Sequence, residues 1–485
     1  MLNNCQLPKL IKNNPLYQSL KSKHRMIKKF TYAKCLFAFM ILLAFITACQ
    51  KDDIATPTEK LTASYDNEVV LKWNALLLDV ERFTPGYLPP VSARAFGYIG
   101  LAAYETAVPG MPEYKSLRNV YPELHLPTAT GAGDYHYPTA LNSAYATIIT
   151  KLYPTAPAAQ VSAIISLQNY FNQKYESEIS PELFQTSTAW GKSIADAVYI
   201  WSSTDAAGHE GYLHPTDPSY VAPSGPGLWQ PTYPNYGHAL LPHWGDVRTF
   251  AATVDDRCED PLPYSTDESS EFYVQAKETE NKVNLIRQGQ NYEDKWIAQF
   301  WSDDCAALTF TPAGRWIAIS DEALESTDAN LAKAVVVEAK VGMAVCDAGI
   351  RCWGEKYRFN VLRPVDYIRN VMGHDTWNTI MCPDGSGQYF TPQFPTYPSG
   401  HGTFGAAATE VLTAEFGDSF VMTDECHKDR TDFIGTPRTY NSFYEMGQEN
   451  AYSRIPIGVH FRMDAEAAVD LGYKVGRRVN NLPWK

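Results

Sequence analysis

Three short stretches of this 485-residue chain hold residue types suited to anion and acid–base chemistry. "KYRFNVLRP" carries Lys356, Arg363 and Pro364. "FPTYPSGHGTFGAAATEVL" centres on Pro398-Ser399-Gly400-His401, and "SRIPIGVHFRMD" carries Ser453, Arg454, His460 and Asp464. A helix starting at Ser399–Gly400 would aim unpaired amides and the positive end of its dipole at whatever lies before it. Gly400 would let the backbone come close, and the Ser399 hydroxyl could donate as well. An ordinary N-cap serine also accounts for the tetrapeptide. Guanidinium groups make paired hydrogen bonds to oxyanions and stay charged. Lys356, Arg363, Arg454, Ser399 and the Gly400 amide together suit a tetrahedral oxyanion, although each cation alone reads as a surface ion pair. His460 and Asp464 stand four apart, which predicts one face of one helix. The carboxylate would then take a hydrogen bond from one ring nitrogen and leave the other as nucleophile or metal ligand. His401, two residues past Ser399, is placed to be the acid–base group.

The elements that must position these groups are helical. Apolar spacing predicts helices over 67–83, 92–108, 139–153, 158–175 and 180–203, and again over 268–283, 292–304, 328–359 and 464–481, with little strand alternation. Lys356 and Arg363 share a face if their segment is helical, but Pro364 disfavours helix at Arg363, so a break and restart there is expected. Arg454 precedes Pro456 and is expected on a turn into the next helix. Residues 206–264 are rich in Gly, Pro, Tyr and His and read as a long irregular segment, either functional or a surface wrap. The expected fold is all-α: two packed helical bundles with the site built by the C-terminal half. The expected division is an N-terminal helical region over 63–205, the irregular segment over 206–264 and a catalytic region over 265–485.

Composition narrows the class. The chain is 45% hydrophobic and 20% charged, as a globular protein is. The first 48 residues hold eight Lys/Arg and no acid, ending in an apolar run from Cys35 to Ala48. That pattern reads as an export signal, with Met26 a natural start. Ile46-Thr47-Ala48-Cys49 resembles a lipobox, with Cys49 the lipidated residue and 49–62 a tether. The expected location is outside the cytoplasm, lipid-anchored to a bacterial outer membrane and held to the membrane by that anchor alone. The remaining chain has 33 basic against 54 acidic residues, which argues against nucleic acid or anionic lipid as partner. Any anion site must therefore be local. Six cysteines remain for disulfides, with pairing open, and none has zinc spacing.

The three stretches match a superfamily signature: Lys-x6-Arg-Pro, then Pro-Ser-Gly-His, then Ser-Arg-x5-His-x3-Asp. On these residues the chain resembles the vanadium-dependent haloperoxidases and type 2 phosphatidic acid phosphatases. The resemblance implies that Lys356, Arg363, Ser399, Gly400 and Arg454 hold vanadate or phosphate. It implies that His460 bonds the central atom, that His401 is the acid–base group, and that Asp464 orients His460. Lys356 would also polarise a peroxide oxygen. Trp353 and Phe394 look like the halide-pocket residues of chloroperoxidase-type and bacterial haloperoxidases, and "SARAFGYIGLAAYE" extends that likeness. The implied activity is oxidation of halide, iodide or bromide favoured, by hydrogen peroxide with vanadate as cofactor. No haem or flavin motif is present. An extracytoplasmic acid phosphatase acting on a phosphoester through phosphohistidine is the alternative, and a non-catalytic surface lipoprotein the third.

Overall fold

A computed structural model describes residues 60–305, 308–382 and 389–485. The expected signal segment and Cys49 lie outside the described residues. Helices dominate. The first five are α1 (Glu68–Phe83), α2 (Pro89–Ala107), α3 (Tyr137–Leu152), α4 (Ala158–Glu176) and α5 (Pro181–Ser203). The next four are α6 (Glu271–Arg287), α7 (Tyr292–Phe300), α8 (Gly314–Ser326) and α9 (Leu331–Phe359). Last come α10 (Pro364–Asn370), α11 (Gly400–Phe416), α12 (Phe443–Tyr452) and α13 (Arg462–Asn480). Among the described residues the only paired strands are β1 (Met422–Asp424) and β2 (Arg438–Tyr440), antiparallel with Thr423 opposite Thr439. No helix of the described residues is long and apolar enough to cross a membrane.

Local chemistry sets several helix starts. Ser180, Ser270 and Asn330 each accept a backbone amide of the first turn of α5, α6 and α9. Pro181 adds a preset φ at the first position of α5.

The 29-residue α9 is the axis of the molecule. It is buried almost throughout from Leu331 to Lys356, which only a helix covered on several sides can be. It packs on α2 along one side and on α11 and α13 along others. The approach to α2 is at backbone distance: a Cβ on Gly100 would sit 2.8 Å from the Ala339 Cα, and one on Gly342 would sit 2.6 Å from the Phe96 oxygen. Each fully buried Val or Leu of this axis contributes roughly 1.5–3 kcal/mol of transfer free energy. The result is a stiff rod that delivers its C-terminal turn, with Trp353 and Lys356, to a fixed place.

Between α5 and α6 the described residues form no α-helix, and the segment is strapped to α9. The Asp347 carboxylate accepts the amides of Phe250, Ala251 and Ala252, each at 2.7 Å. Trp229 donates to the Asn360 carbonyl at 2.7 Å, and Leu362 donates to Gly227 at 3.0 Å. The segment thus fixes the extended residues leading into Arg363.

Candidate active site

The chain breaks between α9 and α10 as Pro364 requires. α9 ends at Phe359, Asn360 turns left-handed at φ 50°, and Arg363 is extended at φ −79°, ψ 154°. Lys356 and Arg363 therefore do not share a helical face; the break brings them together. Both are fully buried.

Arg363 donates from Nε to the Phe394 carbonyl at 2.8 Å and from Nη1 to Val459 at 2.9 Å, while Nη2 is buried with no partner. Arg454 lies on the turn after α12, as expected. It donates from Nη2 to Asp304 Oδ2 at 2.6 Å and leaves Nε buried and unpartnered. Lys356 departs from expectation. Its ammonium meets the carbonyls of Pro395 at 3.1 Å, Thr396 at 2.9 Å and Pro398. Three donors meet three acceptors. Lys356 therefore shapes the 395–398 turn and supplies positive charge to the cradle, instead of extending a free N–H.

Ser399 is both cap and cradle wall. It sits at the N-cap of α11, its hydroxyl accepting the Gly402 amide at 3.4 Å, while its own amide donates to Asp464 O at 3.0 Å. A Cβ on Gly400 would stand 3.3 Å from the Trp353 ring, so glycine keeps this helix start close to the indole. The next residue, His401, is buried with Nε2 unpartnered, 3.8 Å from Asp304 Oδ2.

His460 does not share a helical face with Asp464. It lies two residues before α13, and Asp464 reaches back as the third residue of that helix. The Asp464 carboxylate accepts the Phe461 amide at 3.0 Å and faces His460 Nδ1 at 2.9 Å. A capping contact thus achieves the contact assigned to helical spacing. With Nδ1–H donated to the carboxylate, Nε2 is the lone-pair nitrogen, 3.4 Å from Arg363 Nη1.

Two groups escaped the sequence reading. Thr396 donates to Asp464 Oδ2 at 2.5 Å and lies 3.0 Å from His460 Nδ1, so the Phe461 amide, Thr396 and His460 all meet the one oxygen while Oδ1 is buried without a partner. It stood inside a quoted motif but outside the fixed pattern. Asp304 stands 150 positions from Arg454, and no spacing signal links the two.

Electrostatics show one converging site. Burial, then Arg363, Lys356, Arg454 and His401 in that order, hold His460 well below its ordinary pKa, so the ring is neutral, with its lone pair on Nε2. Burial pushes Lys356 down to about 7 and Arg363 down to about 10. Burial and then Arg454 take His401 down to about 4. Burial raises Asp464 to about 6. Three buried cations face two carboxylates, and the unspent groups include donors of Arg363 and Arg454, a nitrogen of His401 and one oxygen of Asp464, whose other oxygen faces His460. That donor set fits a tetrahedral oxyanion such as vanadate or phosphate, with His460 Nε2, which faces Arg363 Nη1, the nitrogen that would bond its centre.

Trp353 and Phe394 pack beside this cradle with ring centroids 5.0 Å apart and planes tilted by 50°. Phe394 lies under both cations, 5.1 Å from Lys356 Nζ and 4.7 Å from the Arg363 guanidinium carbon. A disulfide joins Cys305 to Cys382. Their chain neighbours Asp304 and Met381 both touch Arg454 Nη2.

Residues 337–483 match the second helical-bundle domain of vanadium chloroperoxidases, and residues 56–228 match the vanadium chloroperoxidase N-terminal domain. This chain belongs to the vanadium haloperoxidase family. The vanadium chloroperoxidase of Curvularia inaequalis is 26% identical over 492 residues, covering 84% of this chain and 80% of that protein. A bacterial vanadium-dependent iodoperoxidase structure superposes with a TM-score of 0.73 at 29% identity, covering 85% of this chain and 96% of that one. A holo-type bacterial vanadium-dependent chloroperoxidase shares the fold at a TM-score of 0.60 and 17% identity, over 82% and 93% of the two chains.

Proposed function

We propose that this protein oxidises iodide or bromide with hydrogen peroxide, yielding hypohalous acid at a vanadate held by His460. The observation that carries the reading is the set of buried, unspent nitrogens on Arg363, Arg454 and His401 around a neutral His460. Unpaired buried donors cost free energy until an anion satisfies them, so the cradle is preorganised for one. Arg363, Arg454 and the helix start at Ser399–Gly400 would hold the oxyanion. Lys356 would hold the turn beneath it and contribute charge. Vanadate, when bound, supplies a Lewis-acid centre that needs no change of oxidation state. His401, neutral over the physiological range, would take a proton from incoming peroxide. Asp464 and Thr396 would keep His460 in one tautomer.

Similarity to a bacterial iodoperoxidase over most of both chains supports iodide, the more easily oxidised halide. The leader and Cys49 support a lipid-anchored enzyme outside the cytoplasm; Cys49→Ala should release it from membranes. Triiodide formation with peroxide and added vanadate tests the activity. Absence of oxidation with every halide between about pH 4 and 8 would overturn it. Vanadate-inhibited cleavage of p-nitrophenyl phosphate without peroxide would favour the phosphatase instead. Unchanged cellular function in Lys356→Ala and His460→Ala would favour a non-catalytic lipoprotein.

A further inference from the structure

Halide, hydrogen peroxide and one proton give hypohalous acid and water, so each turnover consumes a proton inside a buried site. His401, with its pKa lowered to about 4, is neutral over the physiological range and holds no proton to spare. The proton has to enter from outside. The cradle opens into a cavity of about 460 Å³, and Asp303 forms part of its wall. This carboxylate is 3% exposed, and its two oxygens differ. Oδ1 meets His427 Nε2 at 2.7 Å and stands 3.6 Å from Arg315 Nη1. Oδ2 is buried with no partner, a state that calls for an explanation in any buried carboxylate. His427 belongs to residues 425–432, beyond β1, where its neighbours Lys428 and Asp429 are exposed. Its Nδ1, bonded to the ring carbon that joins the chain, lies on the side of that surface loop. Phe310 lines the cavity and stacks on the His427 ring at 5.2 Å and 16°. The ring thus sits behind an aromatic wall, and Asp303 is the polar link between it and the cavity.

We propose that His427 and Asp303 form a proton relay that carries the consumed proton from the 425–432 loop into the cavity. The inference rests on the peroxidase reading and adds its proton supply. His427 takes a proton from solvent at Nδ1 and passes the one on Nε2 to Asp303 Oδ1. A half-turn of the carboxyl presents that proton to the cavity, and a ring flip restores the tautomer of His427. Inside, the proton joins the peroxide oxygen that leaves as water, while the halide gives up two electrons and takes the other oxygen. The groups facing Asp303 are Arg315 from α8, His427, His401 from α11 and Glu81 from α1. Those facing His427 are Arg315, Asp303 and Asp424 from β1, with Asp432 in its own loop. Although burial opposes it, Arg315 and then His427 hold Asp303 below its ordinary pKa. Burial and then Arg315 lower that of His427. Neither group therefore traps the proton in transit. Glu81 lines the same cavity with a pKa raised by burial to about 7 and is the rival donor. Its hydrogen-bond partner Thr311 does not titrate, so Glu81 lacks the link to the surface that His427 gives Asp303.

His427→Gln separates relay from scaffold, because a glutamine amide still donates to Asp303 yet carries no titrating proton. Triiodide formation is followed with peroxide and added vanadate between about pH 5 and 8. Wild-type kcat should not depend on buffer concentration. His427→Gln should lose about tenfold in kcat at pH 8 and less than about twofold at pH 5, where protons are plentiful at the cavity mouth. Added imidazole should restore most of the loss at pH 8, as a diffusing acid replaces the missing one. Asp303→Glu keeps a charge for Arg315 but displaces the carboxyl, and it should show the same loss and the same repair. Glu81→Gln should stay within about twofold of wild type throughout. A loss equal at all pH values, a loss that imidazole does not repair, or a larger loss in Glu81→Gln than in His427→Gln would overturn the relay. Normal wild-type turnover with His427→Gln unimpaired at pH 8 would overturn it and leave the peroxidase reading standing. A wild type that forms no triiodide would overturn both.

Discussion

Two regions of the molecule bury arginine, and they treat its charge in opposite ways. Arg315, in α8, is wholly buried. Its Nε and Nη2 donate to Asp424 at 3.2 and 2.7 Å, Asp303 lies 3.6 Å from Nη1, and the rings of Phe300 and Trp301 flank the guanidinium at 4.6 and 4.8 Å. Although burial opposes its charge, Asp424 and Asp303 raise its pKa. Arg363 is equally buried, yet among the described residues no carboxylate pairs with it; it rests on carbonyls and one ring, and burial lowers its pKa to about 10. One region neutralises its cation within the fold. The other keeps a cation that a guest must neutralise. The division runs through adjacent residues: Asp303 serves Arg315 and His427, while Asp304 serves Arg454 and faces His401.

Substitution should separate the two regions. Arg315→Leu strands Asp424 and Asp303 and should cost about 3–5 kcal/mol of stability, measured by denaturant unfolding. Arg363→Leu should leave stability within about 1 kcal/mol, yet lower kcat about 10²–10³-fold, as loss of one oxyanion donor does. If Arg363→Leu unfolds the protein as Arg315→Leu does, the cradle is a structural network and the contrast collapses.

The disulfide sharpens the same contrast. It closes a chain separation of 77 residues and holds Asp304 and Met381 against Arg454. Cys382→Ser should cost about 2–4 kcal/mol through the unfolded chain. It should also weaken phosphate binding by calorimetry about tenfold, because the partners of Arg454 gain freedom. Loss of stability with unchanged phosphate affinity would make the bridge a staple only. Phosphate should protect the wild type: at about one hundred times its Kd the gain is about 2.7 kcal/mol. Arg363→Leu should lose most of that gain, whereas Arg315, already paired with Asp424, should contribute none.

Much of the cradle was legible because its residues recur at fixed local spacing. Lys356, Arg363, Ser399, His401, Arg454, His460 and Asp464 do meet. The helix break at Pro364 was readable because proline restricts the residue before it. The means of meeting was less legible. Spacing of four between His460 and Asp464 implied a helix, but a capping contact at the start of α13 produces the same contact from a residue outside the helix. Lys356 was read as a free donor because nothing local announces that three carbonyls of residues 395–398 fold over its ammonium. Asp304 and Met381 were invisible for a related reason: both reach Arg454 from distant loops, and tertiary packing alone sets that contact. Among the described residues Cys305–Cys382 is the pair formed from cysteines whose connectivity was open.

The pH dependence of stability gives the finest discrimination. Lys356 has a folded pKa lowered to about 7, against about 10.4 for a free lysine. Between these values the unfolded chain holds a proton that the folded chain has released, so stability rises with pH across that window. Below about 7 both states are protonated, and the folded state bears the full cost of the buried ammonium. The gain between pH 7 and about 9.5 should be about 3 kcal/mol by denaturant unfolding. Lys356→Met should abolish it. Arg315→Leu should leave the slope intact, since the proton of Arg315 is held more tightly than usual throughout. Saturating phosphate should flatten the slope as well, because an anion in the cradle favours the charged lysine and returns its pKa upward. A wild-type slope unchanged by phosphate would place the anion too far from Lys356 to share its charge.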